Sequence, residues 1–105
     1  QLDAATAVAG CGPAFVYLFL EALADAGVQA GLPRDLALQL ANQTLLGAAA
    51  LAKESGQHPA VLKDQVCSPA GSTIAGVASL EADAFRGNII KAVAASYKLT
   101  QELGK

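Results

Sequence analysis

The sequence predicts an all-α domain of five helices, and three observations carry that prediction. Strand signals are almost absent: β-branched residues are sparse, and no window alternates apolar and polar positions for long. Apolar residues recur instead at helical spacing. Prolines punctuate them: GCGPAF, GLPRDL and QHPAVL each place a proline where a first helical turn begins, and there its missing N–H costs nothing.

The first helix is expected over residues 13–30, closed by Gly31. Its polar residues Glu21, Asp25 and Gln29 are four apart and form one narrow stripe on an otherwise apolar surface. The surface helix of a small monomer has a broader polar face, so this one is expected to be enclosed with the help of a second subunit. The second helix, residues 33–55, carries Asp35 in its first turn, where the helix dipole favours a carboxylate. Asp35, Gln39, Asn42 and Gln43 mark a wet face. The stretch TLLGAAALA, residues 44–52, has no charge, and Gly47 with its alanines lets another helix approach closely. A short third helix is expected over residues 59–66. The fourth starts at Ser72 or Thr73 and runs to residue 82. The fifth, residues 85–103, sets Ile89, Ile90, Val93 and Tyr97 against Lys91, Lys98, Glu102 and Lys105 on the opposite face. There is no internal repeat or low-complexity linker, so residues 1–105 read as one domain.

Composition narrows the function. The chain has 105 residues, enough for one modest core. With 53% hydrophobic and 15% charged residues and a net charge of −2, it is neither disordered nor a polyanion binder; its seven basic residues are scattered. The apolar run over residues 14–20 is interrupted by Glu21 and Asp25, well short of the roughly 18 residues a membrane span needs. The N-terminus has neither a basic region nor Met, so no signal peptide is read, and a fragment or processed chain is expected. Cys11 and Cys67 form no CxxC pair, and with the single His58 they make no credible zinc site. Two reduced thiols in a cytoplasmic protein are the preferred reading.

The stretch VCSPAGSTIAG, residues 66–76, breaks the aliphatic pattern with two glycines, three hydroxyls and a proline. A helix N-terminus leaves about four N–H groups without partners and carries the positive end of the dipole. Compact Ser68, Ala70, Gly71, Ser72 and Thr73 would let a carboxylate or phosphate reach those donors, with Ser72 or Thr73 as cap. A plain N-cap with a glycine turn is the competing reading of this local pattern.

The longer pattern VLKDQVCSPAGSTIAGVASLE, residues 61–81, closely resembles the signature of the pyrroline-5-carboxylate reductases. GCGPAFVYLFLEALADAGVQAGLP and QTLLGAAAL resemble the same family's C-terminal helical domain, in the right order along essentially the whole chain. The resemblance implies reduction of 1-pyrroline-5-carboxylate to L-proline with NADPH or NADH. It also implies an N-terminal Rossmann domain absent from this chain, and a helical domain of the 6-phosphogluconate-dehydrogenase-like type that interlocks with its twin in a homodimer, often within a larger ring. Carried over by position, the substrate carboxylate would lie against the backbone N–H groups around Gly71, Ser72 and Thr73. Thr73 would orient the imine or donate a proton through water, and Val66 and Ser68 would line the pocket. Many relatives have Gly where this chain has Ala70, which puts in doubt a turn needing positive φ there. Ser often stands in place of Cys11 or Cys67.

No nucleotide site is read in this chain: Gly10-Cys11-Gly12 is a lone G-x-G with Phe15 where a dinucleotide fingerprint has Gly, and no strand precedes it. The chain alone is therefore expected to dimerise without reducing substrate. His58 reads as a cap or solvated turn residue, Glu21 and Asp25 as solvent-stripe or dimer-contact groups, and Lys63 and Asp64 as solvating the short helix. Tyr17 and Tyr97 read as core aromatics with a wet hydroxyl. The alternatives are a purely structural oligomerisation module and the helical domain of a related imine or hydroxyacid reductase.

Overall fold

The structure, a computed structural model, describes residues 1–104, and these form helices joined by turns and short irregular links. The elements in order are α1 (Leu2–Ala5), a π-helical segment (Thr6–Gly10), α2 (Gly12–Gln29), α3 (Arg34–Ser55), α4 (Pro59–Val66), α5 (Ser72–Ala82) and α6 (Phe85–Leu103). The five predicted helices are all present, with ends within one residue of expectation.

Helix also occupies residues 2–10, ahead of the first predicted start. Alanine-rich LDAATAVAG has high helix propensity, and Asp3 favours the first turn. Gly10 and Gly12 do not interrupt this helical path: the chain passes them in a wider π turn, with the Cys11 N–H donating to the Thr6 carbonyl at 3.1 Å. The helical path from Leu2 to Gln29 thus spans 28 residues and contains an 18-residue stretch with a mean hydropathy of 1.6, long and apolar enough by those two measures to cross a bilayer. Glu21 and Asp25 lie on this path without ending it, so the apolar helix is not confined to residues 14–20.

The chain divides into two compact units. Residues Phe15–Gln65 form one, built on the α2–α3 hairpin. Its turn is set by Gly31 at φ +111. The Gly31 N–H donates to the Val28 carbonyl and the Leu32 N–H to the Gly27 carbonyl, each at 3.0 Å, the paired bonds of a Schellman cap. Leu32 then folds back onto the helix pair. Pro33 is the N-cap of α3 rather than its first residue, with ψ 146, whereas Pro59 does open α4. The helices meet on small residues: Ala24, Ala37 and Ala41 are buried, flanked by Leu20, Leu23, Val28 and Leu32. At Gly27 even a methyl group would stand 3.2 Å from the Ala37 Cβ, so the two backbones approach closely.

Gln1–Ala14 and Val66–Lys105 form the other unit, in which α1, the π segment and α5 pack on α6. Its one fully buried side chain among the described residues is Ala7. Ile89 and Ile90, both predicted on the apolar face of α6, are 43% and 69% exposed. Adjacent helical residues point about 100° apart, and Ile90 is turned further from its neighbours than Ile89. Val93 and Tyr97 are half-buried, and the Tyr97 hydroxyl accepts from Gln101 Nε2 at 3.0 Å. Tyr17 is no core aromatic: it is 66% exposed, because alanines occupy the α2–α3 contact line and Tyr17 lies off it.

Candidate functional site

Helix α4 ends at Val66, and the chain turns over Ser68–Gly71 before α5 starts at Ser72. The Gly71 N–H donates to the Ser68 carbonyl at 3.1 Å, closing a four-residue turn with Pro69 second and Ala70 third. Ala70 has φ +58. Proline followed by a positive φ is the type II arrangement, in which glycine normally holds the third place. The turn geometry that the alanine had put in doubt is therefore present, at the cost of an alanine in left-handed backbone.

Gly71 itself has ordinary extended backbone (φ −83, ψ 174) and is the N-cap of α5. Its requirement is space, since a Cβ there would collide with the Ser68 Oγ. Ser72 and Thr73 do not cap the helix as expected; they already lie inside its first turn, and no side chain makes a cap hydrogen bond. The first helical bond runs from the Ala75 N–H to the Gly71 carbonyl at 3.4 Å. The N–H groups of Ser72, Thr73 and Ile74 consequently make no hydrogen bond among the described residues. Three free donors at the positive end of an 11-residue helix, beside exposed Ser68, Ser72 and Thr73 hydroxyls, suit an anionic group. Val66, 65% exposed, and half-buried Cys67 precede the turn. All five predicted site residues, Val66, Ser68, Gly71, Ser72 and Thr73, thus fall within one compact unit, on one turn and the helix start behind it.

The nearest preceding charges, Lys63 and Asp64, pair with each other at 3.2 Å. His58 is the cap of α4: its Nδ1 accepts from the Ala60 N–H at 3.1 Å and its carbonyl accepts from Leu62. Asp25 pairs with Arg34 at 2.6 Å, both side chains half exposed or more, an arrangement worth at most about 1 kcal/mol. Cys11 and Cys67 are free thiols, and no group of three His, Cys, Asp or Glu side chains that could hold a metal occurs among the described residues.

A model of the pyrroline-5-carboxylate reductase dimerisation family matches residues 1–103. The chain belongs to this family. It is 60% identical to the pyrroline-5-carboxylate reductase of Pisum sativum over 96% of its own length, and 61% identical to that of a Synechocystis species over 99%. Those matches cover 37% and 39% of the two relatives, so the chain spans about two fifths of the curated relatives it matches. Its fold matches a Plasmodium falciparum pyrroline carboxylate reductase, solved with NADP bound, at a TM-score of 0.95 and 44% identity, covering 99% of this chain and 42% of that one. The Coxiella burnetii pyrroline-5-carboxylate reductase matches at 0.96 and 39% identity, covering 100% and 39%.

The Gly10-Cys11-Gly12 stretch lacks the local geometry of a dinucleotide fingerprint. Such sites lie at the carboxyl ends of strands, where a glycine-rich turn opens a helix. Here Gly10 and Gly12 lie on a helical path from the π segment into α2, and no strand occurs among the described residues.

Proposed function

We propose that this chain is the C-terminal, dimerising and substrate-binding part of a pyrroline-5-carboxylate reductase, an oxidoreductase of proline biosynthesis. The full enzyme reduces 1-pyrroline-5-carboxylate to L-proline with NADPH or NADH, in the cytoplasm, as a homodimer that can build a larger ring. Residues 1–105 act together as one dimerisation and substrate domain, and the Rossmann domain that carries the cofactor lies outside them. The apolar path from Leu2 to Gln29 serves subunit contact rather than a membrane.

The observation that carries this reading is the uncapped start of α5. The substrate carboxylate accepts hydrogen bonds from the backbone N–H groups of Ser72 and Thr73 behind the Gly71 N-cap, each charged hydrogen bond contributing about 1.5–3 kcal/mol. No arginine or lysine is needed, because the helix dipole supplies the positive potential. The Thr73 hydroxyl orients the ring nitrogen and supplies a proton through water as the imine is reduced. Ser68 and Val66 line the pocket on its polar and apolar sides. The turn's main service is placement, since reduction requires the imine carbon held close to the hydride donor and aligned with it.

The test is Thr73→Ala and Thr73→Ser in the full-length enzyme. Loss of a positioned proton donor lowers kcat/KM by about 10²–10⁴-fold, whereas Thr73→Ser retains most activity and both variants keep the parental thermal midpoint. A kcat/KM unchanged in Thr73→Ala would leave the turn a structural element and the chain an oligomerisation module.

A further inference from the structure

Among the described residues, positive φ occurs at four positions, and they divide by residue type. Gly31 and Gly56, at φ +111 and +66, follow the ends of α2 and α3. Ala70 and Ala84, at φ +58 and +57, flank α5 on either side. Glycine takes up such backbone freely, whereas in alanine it is disfavoured by about 5- to 30-fold at each position. The ends of α2 and α3 are thus closed without strain. Helix α5 is held at both ends by backbone that its flanking residues resist.

Little within α5 offsets this. Its sequence STIAGVASLEA places Gly76 at mid-helix among β-branched Thr73, Ile74 and Val77, all weak helix formers. No side chain caps its start. Within the chain only Val77 of this helix is half-buried; its other residues are exposed, Ile74 at 38% and Leu80 at 47%. At its far end the Ala84 N–H donates to the Glu81 carbonyl at 3.2 Å, and Arg86 Nε donates to Glu81 Oε1 at 3.0 Å. The side chains of that ion pair are 65% and 48% exposed, so solvent leaves it little strength. Opening α5 therefore lets both alanines relax into ordinary backbone and forfeits few buried contacts.

We infer that α5 opens and closes as one unit between hinges at Ala70 and Ala84, at a lower free energy than global unfolding, and that an anion at its first turn holds it closed. The free N–H groups of Ser72, Thr73 and Ile74 converge only while that turn is helical, so a carboxylate there binds the closed form alone. The effect of the anion rests on the substrate-binding reading of this turn; the opening itself does not.

The test is hydrogen exchange in the full-length enzyme, read by mass spectrometry on peptides that separate residues 75–78 from residues 79–82. In the parental protein both stretches exchange at least about tenfold faster than the middle of α3, and both are protected to a common level. Ala84→Gly slows residues 75–78 as well as residues 79–82, by about two- to tenfold, and Ala70→Gly does the same from the other end. The double variant slows both by about the product of the two, because an 11-residue helix is about 16 Å long and sites so far apart act independently. Each variant puts glycine into backbone that glycine favours, so the fold is kept. Exchange in α5 as slow as in α3 overturns the inference, and so does a slowing confined to the half beside each substitution. L-proline, added at a hundred times its dissociation constant, slows both stretches by up to about a hundredfold. L-proline that binds without slowing α5 overturns the role of the anion, and with it the substrate reading of the turn, whereas the hinged opening stands or falls on the variants.

Discussion

Ala70, like Ala84, sets a side chain against left-handed backbone. Its φ of +58 puts a Cβ where an L-residue is strained by about 1–2 kcal/mol. Ala70→Gly removes that strain and adds back about 0.4–1 kcal/mol of unfolded-state entropy, so the net effect is stabilising, by up to about 1.5 kcal/mol. In calorimetry this raises the thermal midpoint by up to several degrees for a domain of this size. A fall in the midpoint would mean that the methyl group makes packing contacts outweighing the strain, although Ala70 is exposed. Gly71 beside it is required for the opposite kind of reason. Its backbone suits any residue, but the Ser68 hydroxyl occupies the space a side chain would need. The residues of this turn stand out in the sequence as a cluster of small and hydroxylated types. Which position answers to torsion and which to crowding is not legible there, because both constraints come from the closed turn.

At the scale of elements, helix ends explain most of what was read correctly. Proline starts and glycine stops act within one turn of chain, so they are local and visible in sequence. Gly31 illustrates this: its positive φ and the two Schellman bonds around it reverse the chain between α2 and α3. Gly31→Ala forces a Cβ into that conformation and is expected to cost about 1–2 kcal/mol, read as a lower midpoint in urea with an unchanged slope. An unchanged midpoint would mean that the hairpin is held by its alanine seam alone. Where the reading fell short, the cause was also local. Gly10 and Gly12 look like a break, yet a π turn absorbs them and the helix continues, since the wider hydrogen bond leaves no mark in residue type. Ile89 and Ile90 are expected on one apolar face, yet Ile90 is left largely exposed.

At the scale of the whole molecule, buried alanines and exposed leucines point to folding that is completed by association. Among the described residues the buried side chains are Ala7, Ala24, Ala37 and Ala41. Alanine contributes little transfer free energy next to the roughly 1.5–3 kcal/mol of a fully buried leucine. Stability should therefore depend on chain concentration. A hundred-fold increase supplies about 2.7 kcal/mol of mass action, which raises the thermal midpoint of the associated protein by several degrees. A midpoint constant over that range would show that one chain folds unaided.

Sequence alone determined the helical class, the five principal helices, the excess of apolar surface, and a family signature centred on residues 61–81. All of these rest on periodicity, caps and residue identity, which act within a turn or two of chain. Tertiary structure decided that α2 and α3 meet on alanines, leaving leucines and Tyr17 outside, and that the start of α5 keeps three free donors. These outcomes depend on which faces meet across distant stretches of chain, and a helical pattern marks a face as apolar without naming what covers it.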